Sequence, residues 1–302
     1  MAPQKILSAR ALALLLLLAL LWGGSFLSIR LALNEIGPLW AVAHRTVWAA
    51  LILWGWVLWR RIPLPAARDW VGFAGMGLLN NVIPFGLMAW GQLYIESGLT
   101  SILNAATALF GVLVAAAIFP DERLTPARLA GVLTGLGGVA LAIGPEALAS
   151  FDLRSLAQLA VLAGTISYAF ASAWARVHLS GLRPEVAAAG MLTCASLIAI
   201  PAALALEGPP ELTLSTTTLA AIAYYAGAAT ALAYLLYYRV LALAGAGNLM
   251  LVTLLIPPIA IVLGALVLGE ALPPRAFAGF ALIAAGMGLL TGRIPLPPRS
   301  GP

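Results

Sequence analysis

Two short stretches decide the fold: Glu122-Arg123-Leu124-Thr125-Pro126 with Ala130-Gly131 after it, and Glu270-Ala271-Leu272-Pro273-Pro274 with Ala278-Gly279 after it. They lie 148 positions apart. At that offset Thr100–Gly144 overlays Asn248–Gly292, and Gly138 falls on Gly286. Each copy reads as an apolar helix, a Glu, a short turn, a Pro fit for a first helical turn, and a glycine-bearing helix. Earlier in the chain, at offset 146, Trp22 falls on Tyr168, Arg30 on Arg176 and Pro38 on Pro184. The change of offset marks a two-residue insertion. The chain therefore reads as two copies of one unit.

The solvent of that unit is lipid. Of the 302 residues 62% are hydrophobic and 9% charged. Soluble domains carry roughly 25% charged residues. A helix needs about 20 apolar residues to cross the hydrocarbon core. Ten stretches meet or approach that length: Ala11–Ile29, Leu39–Trp59, Trp70–Leu93, Thr100–Phe119, Pro126–Ile143, Ser155–Ala175, Val186–Leu206, Leu219–Leu241, Leu249–Leu268 and Ala276–Gly292. Lys5 and Arg10 before the leucine run resemble a signal peptide, but the apolar stretch continues to Ile29, so we read an uncleaved first helix. The expected architecture is an all-α integral membrane protein of ten transmembrane helices, built as two five-helix repeats (11–144 and 155–292). Residues 1–10 and 293–302 form the cytoplasmic ends.

Charge placement sets the expected orientation. Cytoplasmic loops carry the Lys/Arg excess. With the N-terminus inside, the inner side holds twelve: Lys5, Arg10, Arg60, Arg61, Arg68, Arg123, Arg128, Arg176, Arg183, Arg239, Arg293 and Arg299. The outer side holds three, Arg30, Arg154 and Arg275. Both termini are thus expected inside. Five is an odd number, so the second repeat enters from the opposite face. Inverted repeats of this kind are typical of transporters, with the substrate near the midplane.

The pattern resembles the drug/metabolite transporter superfamily, in its ten-helix EamA-type branch. The residues that carry the resemblance are Trp22-Gly23-Gly24-Ser25-Phe26, Pro38 with Arg45, and the paired Glu122/Pro126/Gly131 and Glu270/Pro274/Gly279. It implies alternating access across a bacterial inner membrane, with amino acids, aromatic ones among them, as substrates. Distant relatives carry nucleotide sugars and triose phosphates, and drug-like compounds are a further possibility. It also implies that helices one to four and six to nine surround the cavity, while five and ten pack together at the periphery.

The candidate substrate-binding residues are Trp22, Ser25, Phe26, His44, Arg45, Asn80, Asn81, Phe85, Asn104, Tyr168, Ser172, Tyr224 and Tyr234. Polar groups in lipid are costly and face a cavity or another helix. Arg45 is the only charged residue well inside a span, about 10 Å along its helix from Pro38 at 1.5 Å per residue. Its planar fork suits a carboxylate. The competing reading is an arginine that snorkels, or that tethers a loop through Glu35 or Glu96. His44, about 100° away on the helix, is a proton-sensitive cavity residue or a neutral hydrogen-bond donor. Pro84 frees the carbonyl of Asn80 from its amide partner. Pro257-Pro258 is expected to break helix nine in a similar way. Tyr225 and Thr230 belong to the same sparse set of intramembrane polar residues. Trp48, Trp54, Trp56 and Trp59, with Trp40 and Trp70, read as lipid-facing or interfacial anchors.

Other functions find no support. The two histidines, His44 and His178, and the single Cys194 cannot build a metal cluster or a disulfide within the chain. No HExxH or phosphate-binding GxxxxGK[ST] run occurs, so neither an enzyme nor a cofactor is expected. The basic pI comes from charges at helix ends, not from a nucleic-acid-binding patch. All eleven Asp and Glu lie in connectors or at helix ends. Proton-coupled carriers use intramembrane carboxylates, so transport is expected to be facilitated. Small residues on helices five and ten suit close packing, within the chain or as a homodimer seam. A membrane scaffold is the alternative outside transport.

Overall fold

A computed structural model describes residues 8–122, 124–144, 152–244, 249 and 252–294. Lys5, Arg123, Arg299 and the proline-rich tail lie outside the described residues. Among the described residues the secondary structure is helical, with no strand. We label the helices α1 (Ala9–Ala32), α2 (Pro38–Trp59), α3 (Asp69–Gly91), α4 (Ser97–Ile118), α5 (Pro126–Ile143), α6 (Leu153–His178), α7 (Pro184–Leu206), α8 (Thr216–Ala244), α9 (Val252–Leu268) and α10 (Pro274–Leu290). The first eight are long and apolar enough to cross a membrane; α9 and α10 are apolar and 17 residues each. The starts follow local chemistry. Ser8, Thr125, Asp152 and Ser215 accept a backbone N–H from the first turn of α1, α5, α6 and α8. Proline opens α2, α5, α7 and α10.

The two glycine-bearing helices face each other. A Cβ on Gly131 would lie 2.8 Å from the carbonyl oxygen of Gly286, and one on Gly138 would lie 2.6 Å from that of Gly279. Residue numbers rise on one helix as they fall on the other, so α5 and α10 are antiparallel. Gly131 meets the repeat-mate of Gly138, and Gly138 meets the repeat-mate of Gly131, as an isologous contact requires. The small-residue faces are thus used inside one chain. A homodimer through these helices would have to use their outer faces.

Pro84 does not simply break α3. A π turn over Gly77–Val82 precedes it, and the α-helix resumes at Ile83. The extra residue in the turn absorbs the missing N–H and the ring's clash with the carbonyl four back. The expected break at Pro257-Pro258 is absent, since α9 is α-helical through both prolines. The second interruption is instead a π turn over Tyr224–Leu232 in α8, with no proline near it. The interrupted helices are the third of each repeat. They are a matched pair, as Pro84 in α3 and Pro257-Pro258 in α9 would not have been. Helix α4 is also interrupted, between Asn104 and Thr107, where Thr107 Oγ1 donates to the Asn104 carbonyl at 2.7 Å.

At the end of the bundle with loops 33–37, 92–96 and 207–215, carboxylates tie one half to the other. Glu207 accepts from the Leu39 and Trp40 amides at 2.8 and 3.0 Å, capping α2. Glu270 accepts from the Ser97 amide at 3.0 Å and the Ser97 hydroxyl at 2.7 Å, capping α4. Each adds anionic charge at a helix N-terminus, where the dipole favours it. Arg154 pairs with Glu96 at 2.7 Å. Glu122, the repeat-mate of Glu270, acts differently at the other end. It pairs with Arg128 at 2.9 Å and lies 3.7 Å from Arg176, which bonds Asp121 at 2.5 Å.

Glu35 joins this set. Hydrogen bonds from Ser215 hold its carboxyl below the ordinary 4.5; the Ser215 amide lies 2.9 Å away. A depressed carboxylate adds stability above its unfolded value and loses it as pH falls through the folded one. The melting-temperature gap between the wild type and Glu35→Gln should therefore be constant above pH 4.5 and close on further acidification. A gap that widened on acidification would contradict the tie.

Candidate functional site

Arg45 lies at the centre, 9% exposed. Its side chain spans the two halves. Nε donates to Thr230 Oγ1 of α8 at 2.8 Å. Cζ sits 3.9 Å from the centroid of the Phe85 ring of α3. Phe85 in turn meets Tyr168 of α6 edge-on, at 6.4 Å and 70°. Tyr168, Tyr234 and Tyr225 stand within electrostatic reach of the guanidinium. Asn80 Nδ2 donates to the Tyr234 hydroxyl at 3.1 Å, joining α3 to α8. Among the described residues no carboxylate lies within 4.0 Å of Arg45; Glu35 and Glu96, the partners a tether needs, bond Ser215 and Arg154 instead. A desolvated cation without a counter-ion is costly, and the stacked ring offsets part of that cost.

The site is closed. Arg45 and Phe85 line a cleft of about 10 Å³ with Ile29, Ala41, Val42 and Ala89. That is room for a single water. Two polar atoms on the π turns have no protein partner among the described residues, the Tyr225 hydroxyl and Asn81 Oδ1; both side chains are fully buried.

Of the expected site residues, Arg45, Asn80, Phe85, Tyr168 and Tyr234 come together. Asn81 sits on the same π turn and donates to the Met76 carbonyl at 3.4 Å. The others serve different ends. His44 accepts from Trp48 Nε1 at 3.3 Å and lines a lateral groove of about 190 Å³ with Trp40, Val47 and Ile200. It shares Arg45's helix but not its face. Ser172 is exposed and donates to its own helix. Ser25 does likewise, while Phe26 packs on Ile256 and Ala260 of α9. Tyr224 lies against Gly24, its hydroxyl 3.3 Å from the Leu20 and Leu21 carbonyls. Asn104 marks the α4 interruption. The Trp22-Gly23-Gly24 run is thus a packing seam, with Gly23 against Ile259 of α9 and Gly24 against Tyr224 of α8. Trp22 has a second role: its indole donates to the Ala229 carbonyl in the α8 π turn at 3.1 Å. Ser167 of α6 does the same for α3, donating to Leu79 at 2.7 Å. The first helix of each half thus secures the π turn of the other.

One aromatic expectation changes. Trp54 is not a lipid anchor but donates to Thr193 of α7 at 2.9 Å. Trp40 donates to the Gly208 carbonyl at 3.1 Å. Trp48 and Trp59 do lie outward, 49% and 70% exposed. Sequence reasoning placed Tyr225 and Thr230 in the membrane but not at the centre. The available signal was the repeat: the third helix of the second half had to answer Asn80-Asn81.

A polytopic helical bundle of this kind, with interrupted helices matched between its halves and a buried polar site between them, defines a membrane transporter. The chain belongs to the EamA-like transporter family, whose model matches residues 9–144 and 155–292. It is similar to a "Probable terminal-alkyne amino-acid exporter" of Streptantibioticus cattleyicolor, 27% identical and covering 94% of each chain. It is also similar to a "Probable amino-acid metabolite efflux pump" of Escherichia coli (strain K12), 27% identical over 91% of this chain and 92% of the relative. A solved crystal structure shares the fold with a TM-score of 0.67 at 20% identity, covering 94% of this chain and 98% of the other.

Proposed function

We propose that this protein exports amino acids, aromatic and apolar ones foremost, across the bacterial inner membrane by alternating access of its two halves. It does so with ten spans and both termini in the cytoplasm. The observation that carries the reading is Arg45, buried between the halves with no carboxylate partner. A substrate carboxylate supplies the missing counter-ion. The cleft lining of Phe85, Ile29, Ala41, Val42 and Ala89 is apolar beside the guanidinium, and Tyr168 packs edge-on behind Phe85, a setting that suits an apolar or aromatic side chain. Relatives named as amino-acid exporters support the same substrate class.

Transport is facilitated in this reading, because the described acidic residues stand at helix ends or in connectors and His44 lies off the central site. Purified protein in liposomes, offered each of the twenty amino acids, should release preloaded phenylalanine, tyrosine, tryptophan and leucine fastest. An imposed pH gradient should leave those rates unchanged. Release of none of the twenty would refute the exporter reading. Uphill movement on a proton gradient would refute facilitation alone.

A further inference from the structure

We propose that Thr230 is a positioning residue for anion recognition, holding the Arg45 fork open to the cleft and making that orientation depend on the π turn of α8. The inference rests on Arg45 as the carboxylate receptor.

An arginine carries five donors in one plane. Here Nε is bonded to Thr230 at 2.8 Å, and one face of the plane is covered by Phe85 at 3.9 Å. Together they fix the roll and the tilt of the guanidinium. Its Nη edge is left for the cleft that Arg45 lines. Bidentate binding of a carboxylate uses two parallel N–H donors of such an edge.

Thr230 can accept from Arg45 because its own proton goes elsewhere, to the Tyr225 carbonyl at 2.7 Å. That carbonyl is five residues back. Helical threonines ordinarily bond three or four back. Others in this chain do so: Thr46 to Val42, Thr100 to Glu96 and Thr193 to Ala189. The reach to Tyr225 exists because the turn is π. If the turn tightened to α geometry, the hydroxyl would redirect to Ala226 or Gly227 and leave Arg45. One hydroxyl thus reports the state of the α8 turn to the guanidinium. In α3 the equivalent bond runs from Asn81 to Met76, also five back. The two states of the α8 turn are then a strong and a weak anion receptor. A carrier needs that difference to release its cargo on the far side.

The test measures phenylalanine transport in liposomes for wild type, Thr230→Val, Thr230→Ala and Thr230→Ser. Each protein is first checked for monodispersity. The hydrogen bond involves a charged group, so its loss should raise KM about ten- to a hundredfold, with a smaller effect on the maximal rate. Thr230→Ser should restore KM to near the wild-type value. Competition by phenethylamine, which lacks the carboxylate, should be equally strong in all four. A wild-type KM in Thr230→Val or Thr230→Ala overturns the proposal. So does failure of serine to restore it, or equal weakening towards the amine. Arg45→Ala run alongside separates the two readings. Phenylalanine transport that survives Arg45→Ala removes the receptor itself. Loss there with an unchanged Thr230→Val removes only the role of Thr230.

Discussion

Arg45→Met is expected to abolish amino-acid export and to raise the melting temperature at the same time. The two effects share one cause. Arg45 is 9% exposed, its guanidinium bonded to one neutral hydroxyl and set over one ring, with no carboxylate beside it among the described residues. Replacing a buried charge by an apolar group of similar volume is often neutral or stabilising, by about 1–4 kcal/mol. Methionine keeps the contact with Phe85 and can adapt to the remaining space. The charge is kept because the substrate needs it. Removing one partner of a desolvated, hydrogen-bonded charge pair costs about 2–5 kcal/mol, or roughly thirty- to several-thousandfold in affinity. Thermal unfolding in detergent and phenylalanine release from liposomes measure the two sides. Retained export would refute the receptor role. A lower melting temperature would show that the protein itself balances the charge.

The second large effect is on folding. Gly279→Leu should cost about 3 kcal/mol or more, at or above the top of the usual overpacking range. A Cβ at Gly279 would lie 2.5 Å from the Gly138 carbonyl oxygen and 2.7 Å from the Ala142 amide nitrogen. Both are backbone atoms, so no side chain can turn aside. The helices themselves must separate. Gly137→Leu is the control: it adjoins Gly138 of the seam, yet its Cβ would meet nothing within 4 Å. That change should stay within about 0.5 kcal/mol, as surface substitutions do. Yield from membranes and thermal unfolding of the two variants decide the matter. Equal stability would mean that the close approach of α5 and α10 is not what holds them.

The repeat and the helix order were legible because they rest on features of one dimension: apolar length, proline at helix starts, glycine at fixed spacing. The glycines alone left a seam within the chain or between copies open, and the α5–α10 pairing came from the family resemblance. Arg45 was legible as a solitary charge. What escaped was three-dimensional. The π turn of α3 had a marker in Pro84, but that of α8 had none. No sequence rule predicts that Thr230 reaches five residues back. His44 and Ser172 were drawn to the site by polarity alone, although a helix face, not a residue type, decides what a cavity sees. Pro257-Pro258 misled for a related reason. Proline constrains a helix, but its neighbours decide whether the helix yields.

The seam between α5 and α10 has one more consequence, which concerns symmetry. Gly131 meeting Gly286 while Gly138 meets Gly279 is the geometry of two identical subunits clasped about a two-fold axis. Identical subunits must mirror every change on both sides. A single chain is released from that rule. Position 135 is a glycine pressed by Leu109, while its counterpart, 283, is a fully buried isoleucine. With two copies in one chain, one half can keep a glycine where the other supplies bulk. The same licence placed an arginine at position 45 without obliging its twin, Met191, to be one too.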